Sequence, residues 1–182
     1  IGKLKMSVLF NVDDLTIREF EPADLVIFSR YRAVETVAQY QSWSDYSIEK
    51  ANSLYESMQG HDFGEVGQWF QIAIVDAKSD ILLGDFAIHF IDAEQVEIGF
   101  TLAPEHQGKG IATKALNGLV EYLFKQLNKH RIIATTDCEN HASYQLLDRA
   151  GFRREAHFIN NIFFKGAWGS EYQYGLLRSE IK

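Results

Sequence analysis

Leu15-Thr16-Ile17-Arg18-Glu19-Phe20 alternates apolar and polar side chains, the period of a half-buried strand. Glu21-Pro22-Ala23-Asp24 follows, with proline in a first helical turn and an acidic side chain near the positive end of the dipole, which predicts a helix to about Ala33. Ser47 stands where an N-cap belongs for a second helix through about Met58, and Ala51, Leu54, Tyr55 and Met58 make one apolar face. Gly60 to Gly67 reads as a mobile, glycine-bearing loop. Trp69–Val75, Ile81–Ile91 and Val96–Leu102 then read as consecutive antiparallel strands, joined through Ala77-Lys78-Ser79-Asp80 and Asp92-Ala93-Glu94. From Lys109 to about Gln126 the spacing becomes helical, with Ala112, Leu116, Leu119, Val120 and Leu123 as the buried stripe. Arg131–Thr136 returns as a strand, which after a helical crossover should run parallel to 96–102. His141–Ala150 is a short helix stopped by Gly151, and Phe152–Phe164 and Ser170–Leu177 close the chain as strands around Lys165-Gly166. This order of elements predicts a mixed α+β fold.

The crossover from strand to helix carries the chemistry. Glu105-His106-Gln107-Gly108-Lys109-Gly110-Ile111-Ala112-Thr113 joins the two elements through a short loop with two glycines. Without Cβ atoms, Gly108 and Gly110 let backbone N–H groups turn towards an anion, and the free amides and dipole of the following helix favour its charge. A pyrophosphate is the implied ligand. A P-loop fits poorly, because Ala103 stands where it needs glycine and Gly110 where it needs serine or threonine. A dinucleotide fingerprint fits poorly too, because Thr113 replaces its third small residue and the loop lies past the middle of the chain.

The 182 residues suffice for one sizeable core, and with two prolines, no linker and no repeat, residues 1–182 are read as a single domain. Ile1 to Val12 is the exception: it begins without Met and is read as partly a foreign remnant or disordered, with Met6 as a candidate start. No apolar run approaches the roughly 18 residues of a membrane span, so no membrane partner is expected. The lone Cys138 suits a reducing cytoplasm, and six scattered histidines without ligand spacing predict no metal. A net charge of −7 without a basic cluster argues against nucleic acid and suits a cationic substrate.

Residues 107–112 match the pattern Gln/Arg-x-x-Gly-x-Gly/Ala and resemble the pyrophosphate loop of the GCN5-related N-acetyltransferases (GNAT). Two further segments are similar to that family: Val96-Glu97-Ile98-Gly99-Phe100 before the loop, and Asn140-His141-Ala142-Ser143 with Arg149-Ala150-Gly151-Phe152 after it. The tryptophan-centred segment near Trp43 and Gly166-Ala167-Trp168 resemble the subgroup of ribosomal-protein-alanine N-acetyltransferases. The resemblance spans nearly all of 15–178. It implies a mostly antiparallel sheet with helices on both faces, whose fourth and fifth strands, 96–102 and 131–136, splay apart. It also implies acetyl-CoA as cosubstrate, with its pantetheine on the main chain of Phe100, Thr101 and Leu102 and its pyrophosphate on Gln107, Gly108, Lys109, Gly110, Ile111, Ala112 and Thr113. Asn140 and Ser143 would add coenzyme contacts.

Acetyl transfer to an amine needs a base, since an amine of pKa near 10 is protonated at neutral pH. Glu97 is the first candidate, its side chain opposite Ile98 in an apolar strand where burial raises a carboxyl pKa; a structural carboxylate is the competing reading. Many relatives protonate the leaving sulfur with a tyrosine at the position that Leu147 occupies here. Ser143 is the substitute and Tyr144 the second choice, while Cys138 reads as a core thiol. Tyr40, Trp43, Tyr46 and Trp69 are candidate walls for the acceptor, and Asp45, Glu65 and Asp85 candidate partners for its cation. The leading expectation is direct acetyl transfer, in a ternary complex, to a protein N-terminal amine by a monomer or homodimer. The alternatives are a small amine, such as a polyamine, amino acid or aminoglycoside, and a non-catalytic acyl-CoA sensor.

Overall fold

The computed structural model describes residues 7–182. Its strands form one eight-stranded sheet in the order β1-β2-β3-β4-β5-β6-β8-β7. β1 (Val8–Val12) and β2 (Leu15–Glu19) lead into α1 (Leu25–Arg32), α2 (Glu35–Ala38) and α3 (Ile48–Gln59). β3 (Trp69–Asp76), β4 (Leu82–Phe90) and β5 (Gln95–Leu102) follow as an antiparallel meander. The crossover α4 (Ile111–Glu121) precedes β6 (Arg131–Asp137), then come α5 (His141–Arg149), β7 (Arg153–Phe164) and β8 (Ala167–Leu177).

Strand alternation sorts the side chains onto two faces. Ile72, Ile74, Phe86, Ile88, Val96, Ile98, Ile132 and Tyr174 share one buried cluster with Leu116, Leu119 and Leu123 of α4 and Leu146 and Leu147 of α5. Ala73, Val75 and Leu82 look the other way, under Leu25 and Phe28 of α1 and Ala51 of α3. Ser47 Oγ accepts from Lys50 N, and Leu54, Tyr55 and Met58 pack on that second cluster, as the helical spacing predicts.

Three expectations change. The segment 8–12 is not a disordered extension: β1 pairs with β2, and Phe10 stacks on Tyr122 with centroids 5.0 Å apart. Gly118 of α4 makes this possible, because a Cβ there would lie 2.9 Å from the Phe10 ring. Met6 lies outside the described residues. The 60–67 loop is tied down, with Phe63 edge-on to Phe70 and Phe90 and Gly67 N donating to Phe90 O at 2.7 Å. The helix predicted from Lys109 begins at Ile111, and its last turn, Tyr122–Gln126, is π-helical.

β5 and β6 run parallel but pair only at Gln95–Arg131, Val96–Ile132 and Glu97–Ile133. Beyond Glu97 they separate: β5 stays with β4 to Leu102 opposite Gly84, and β6 stays with β8 to Asp137 opposite Glu171. A Cβ on Gly84 would collide with the carbonyl oxygen of Thr101 and press on Leu102. Only glycine at position 84 lets the end of β5 lie this close to β4.

Candidate active site

The gap between β5 and β6 opens into a cleft of about 680 Å³ that passes between the two faces of the sheet. Gly99, Phe100, Thr101 and Leu102 line one flank, and Ala134, Thr135, Thr136 and Asp137 the other. The β6-facing edge of β5 past Glu97 has no strand partner among the described residues, so its main chain can receive an extended ligand by β-addition. Gln107 Nε2 donates to Leu102 O at 3.1 Å, which tethers the glycine loop to the strand end and occupies that carbonyl.

On the α4 and α5 side the loop has the geometry of an anion cradle. Gly108 (φ +74) and Gly110 (φ +77) are left-handed, and a Cβ on either would meet no atom of the described residues within 4 Å. Backbone conformation, not crowding, therefore demands glycine. Gly110 caps α4 without a side-chain hydrogen bond, and no acidic residue sits in the first turn, so the amides at that end keep their donors and their positive field. Gln107, Gly108 and Ala112 line the cleft. Lys109, Gly110, Ile111 and Thr113 form the adjoining rim and first turn without lining it. These residues fit a pyrophosphate by main-chain donors.

α5 brings Asn140, Ala142, Ser143, Leu146, Leu147 and Arg149 to the same side. Asn140 is the helix N-cap: its Oδ1 accepts from Ser143 N at 3.3 Å. Ser143 reaches the cleft, as does Leu147, which is 1 % exposed and has no proton to donate. Tyr144 does not line the cleft and instead packs edge-on against Tyr172, with the Arg154 guanidinium 5.4 Å from its ring. Cys138 is half-buried, and burial pushes its thiol up, away from nucleophile character.

Glu97 stands at the apex where the strands part, on the face of α1 and α3, opposite buried Ile98. It borders the cleft without lining it. Burial pushes its carboxyl up, His89 pulls it down and Glu171 adds a smaller upward push. His89 Nδ1 lies 3.8 Å from Glu97 Oε2, and its ring stacks on Trp69 with centroids 4.7 Å apart.

The acceptor side differs most from the sequence reading. Asp85 is 1 % exposed and holds Tyr31 Oη, Gln71 Nε2 and the Arg32 guanidinium, so it is no free partner for a ligand. Asp45 and Glu65 do not line the cleft, and Glu65 pairs with His61 at 3.0 Å. The carboxylates that line it are Asp137 and Glu171, at facing positions of β6 and β8. Period-2 alternation places Glu171 on the Glu97 face, a signal available in the sequence, but only the parted strands make it matter. Of the four nominated aromatics, Tyr40 alone lines the cleft, beside Thr36, Gln41 and Ser42, with Ile162 and Phe164 opposite.

The family model described as an acetyltransferase (GNAT) domain matches residues 14–153. YnaD of Bacillus subtilis (strain 168), an uncharacterized N-acetyltransferase, is 32% identical over 167 residues, 91% of this chain and 95% of that protein. The crystal structure of a GNAT-family acetyltransferase from Bacillus anthracis superposes with a TM-score of 0.84 at 28% identity, covering 93% of this chain and 98% of the other. Spermidine N-acetyltransferase from Vibrio cholerae, solved in complex with CoA and spermine, superposes with a TM-score of 0.80 at 27% identity, over 92% and 97% of the two chains. Parted central strands, a glycine loop leading into an uncapped helix, and a family match over most of the chain agree: the protein belongs to the GNAT acetyltransferases and is an N-acetyltransferase.

Proposed function

We propose that the chain transfers the acetyl group of acetyl-CoA to a primary amine of a small molecule that carries a second positive charge. The observation that carries this reading is the charge of the cleft. Among the described residues its charged lining side chains are Asp137, Glu171 and Arg149, and the cation of these three belongs to α5 on the coenzyme side. The acceptor side is thus anionic, with Glu97 near Glu171 at the apex. The Vibrio cholerae relative solved with spermine supports the same acceptor class.

In this reading, the loop 107–113 takes the pyrophosphate, and the free edge of β5 takes the pantetheine through the main chain of Phe100 and the N–H of Leu102, the Thr101 carbonyl being turned towards Gly84 of β4. Asn140 and Ser143 contact the coenzyme from α5. Glu97 removes the ammonium proton, directly or through water, with a carboxyl pKa brought closer to neutrality by burial. The amine nitrogen attacks the thioester carbonyl, the adduct nitrogen gives its second proton to water as the C–S bond breaks, and the thiolate takes a proton from water, directly or through the Ser143 hydroxyl. The test is amine-dependent thiol release with matched acceptors: a diamine or polyamine, a monoamine of equal length, and a peptide with a free N-terminus. The expected order in kcat/KM is polyamine first, by about tenfold or more over the monoamine, the size of one additional charge-assisted contact. A peptide preferred over the polyamine would instead favour the ribosomal-protein subgroup, and thiol release with none of them would favour a sensor.

A further inference from the structure

The wall facing Ile162 and Phe164 is built from Thr36, Val37, Tyr40, Gln41 and Ser42. Its only regular element is the four-residue α2. A helix that short does not hold itself, so something else must set the wall's position. Two anchors are visible. Lys165 Nζ, from the β7–β8 turn, bonds to Ala38 O. At the other end, Trp43 Nε1 donates to Arg32 O at 2.8 Å.

The second anchor is more than a backbone tether. The Arg32 guanidinium carbon lies 3.7 Å from the Trp43 ring centroid, 4.3 Å from Phe28 and 5.2 Å from Tyr46, and the residue is 6 % exposed. Its NH2 nitrogen lies 3.5 Å from Asp85 Oδ1, and its Nε, buried, has no hydrogen-bond partner among the described residues. Asp85 sits on β4 opposite Thr101, which lines the cleft floor. One planar cation therefore touches the floor through Asp85 and the wall through Trp43. Packing alone does not call for an arginine here, because a buried ion pair with an orphaned N–H gives up stability that an apolar side chain would keep. What a guanidinium adds is a fixed plane: it stacks on an indole while its edge points at a carboxylate, which neither lysine nor methionine reproduces.

We propose that Arg32 is a positioning residue for the amine acceptor, setting the Thr36–Ser42 wall against the floor of the cleft through Trp43 and Asp85. The inference rests on the acetyl-transfer reading of this cleft. Its signature is a split between substrates. The wall lies across the sheet from the glycine loop, so displacing it should weaken the acceptor and spare the coenzyme.

The test measures acceptor KM, kcat and the acetyl-CoA-induced thermal shift for Arg32→Met, Arg32→Lys and Trp43→Phe. Arg32→Met should raise the amine KM by about tenfold, with kcat at saturating amine within about threefold and the coenzyme shift unchanged, since uniform binding is what a displaced wall removes. Arg32→Lys and Trp43→Phe should move the same parameter by smaller factors. They carry the test if Arg32→Met, with Asp85 left buried without its cation, does not fold. Folded lysine and phenylalanine variants with the wild-type amine KM would overturn the proposal, and so would equal losses in amine and coenzyme affinity. A wild-type protein that releases no thiol with any amine overturns the functional reading and this inference together. Wild-type turnover with an unmoved amine KM overturns this inference alone.

Discussion

Glu97 illustrates how one residue's surroundings set its chemistry. Burial raises its pKa in the folded state, so the fold favours the protonated form. The sign for stability follows: this favourable contribution is complete below the unfolded glutamate pKa and is lost as pH rises through the folded value. Above the folded value the ionised side chain is therefore a burden on the fold, which its neighbour His89 reduces. Glu97→Gln should lower kcat by about 10²–10⁴-fold, leave coenzyme binding intact, and melt no earlier than wild type at neutral pH. The acid limb of the kcat/KM profile, moved upward in wild type by the burial of Glu97, should vanish in the variant. A glutamine variant of normal activity, or one that melts well below wild type at neutral pH, would return Glu97 to a structural role. Its place opposite Ile98 was legible from alternation alone. Its relation to Glu171 was not, because β8 lies far along the chain and reaches it only through the sheet order.

At the scale of elements, the loop and α4 act together: two left-handed glycines deliver the chain into a helix whose first amides stay free. Valine at Gly110 would have no protein atom to strike, but a β-branched residue at φ +77 is strained by roughly 1–2 kcal/mol, and its side chain would project from the cradle. Wild type should gain about 2.7 kcal/mol of stability at acetyl-CoA near 100 times its Kd, read as a rise in melting temperature. Gly110→Val should lose most of that rise, whereas an undiminished shift would remove the loop from the coenzyme site. This element was visible in the sequence because its signal is local: glycines at fixed spacing, then a helical stripe. α2 and β1 were not. Four residues are too few to show a period, and β1 is ordered by Phe10 and Val12 packing beside Gly118, a contact between distant segments. The opening of β5 from β6 was expected only through family resemblance. The close approach of Gly84 to Thr101 that accompanies it is one that no pattern within β5 reveals.

In the proposed reading, the two substrates lie on opposite sides of one opening. The glycine loop and α5 approach from the α4 face, and the wall at Tyr40 and the carboxylates Glu97 and Glu171 belong to the face of α1 and α3. Both reactants can therefore occupy the cleft together and meet where β5 and β6 part, which replaces a bimolecular encounter with a positioned one. A covalent route would need an activated nucleophile at that point. The nearby candidates are poor: the Cys138 thiol is pushed up by burial, and Ser143 spends its backbone N–H on Asn140 with no histidine among the cleft-lining residues to activate its hydroxyl. Initial rates measured against both substrates should give intersecting double-reciprocal lines, the pattern of a ternary complex. Protein incubated with acetyl-CoA alone should keep its unmodified mass. Parallel lines, together with an acetyl adduct that a supplied amine discharges, would mean that the chain stores the acyl group first, and the opening between the strands would then serve two successive visits instead of one meeting.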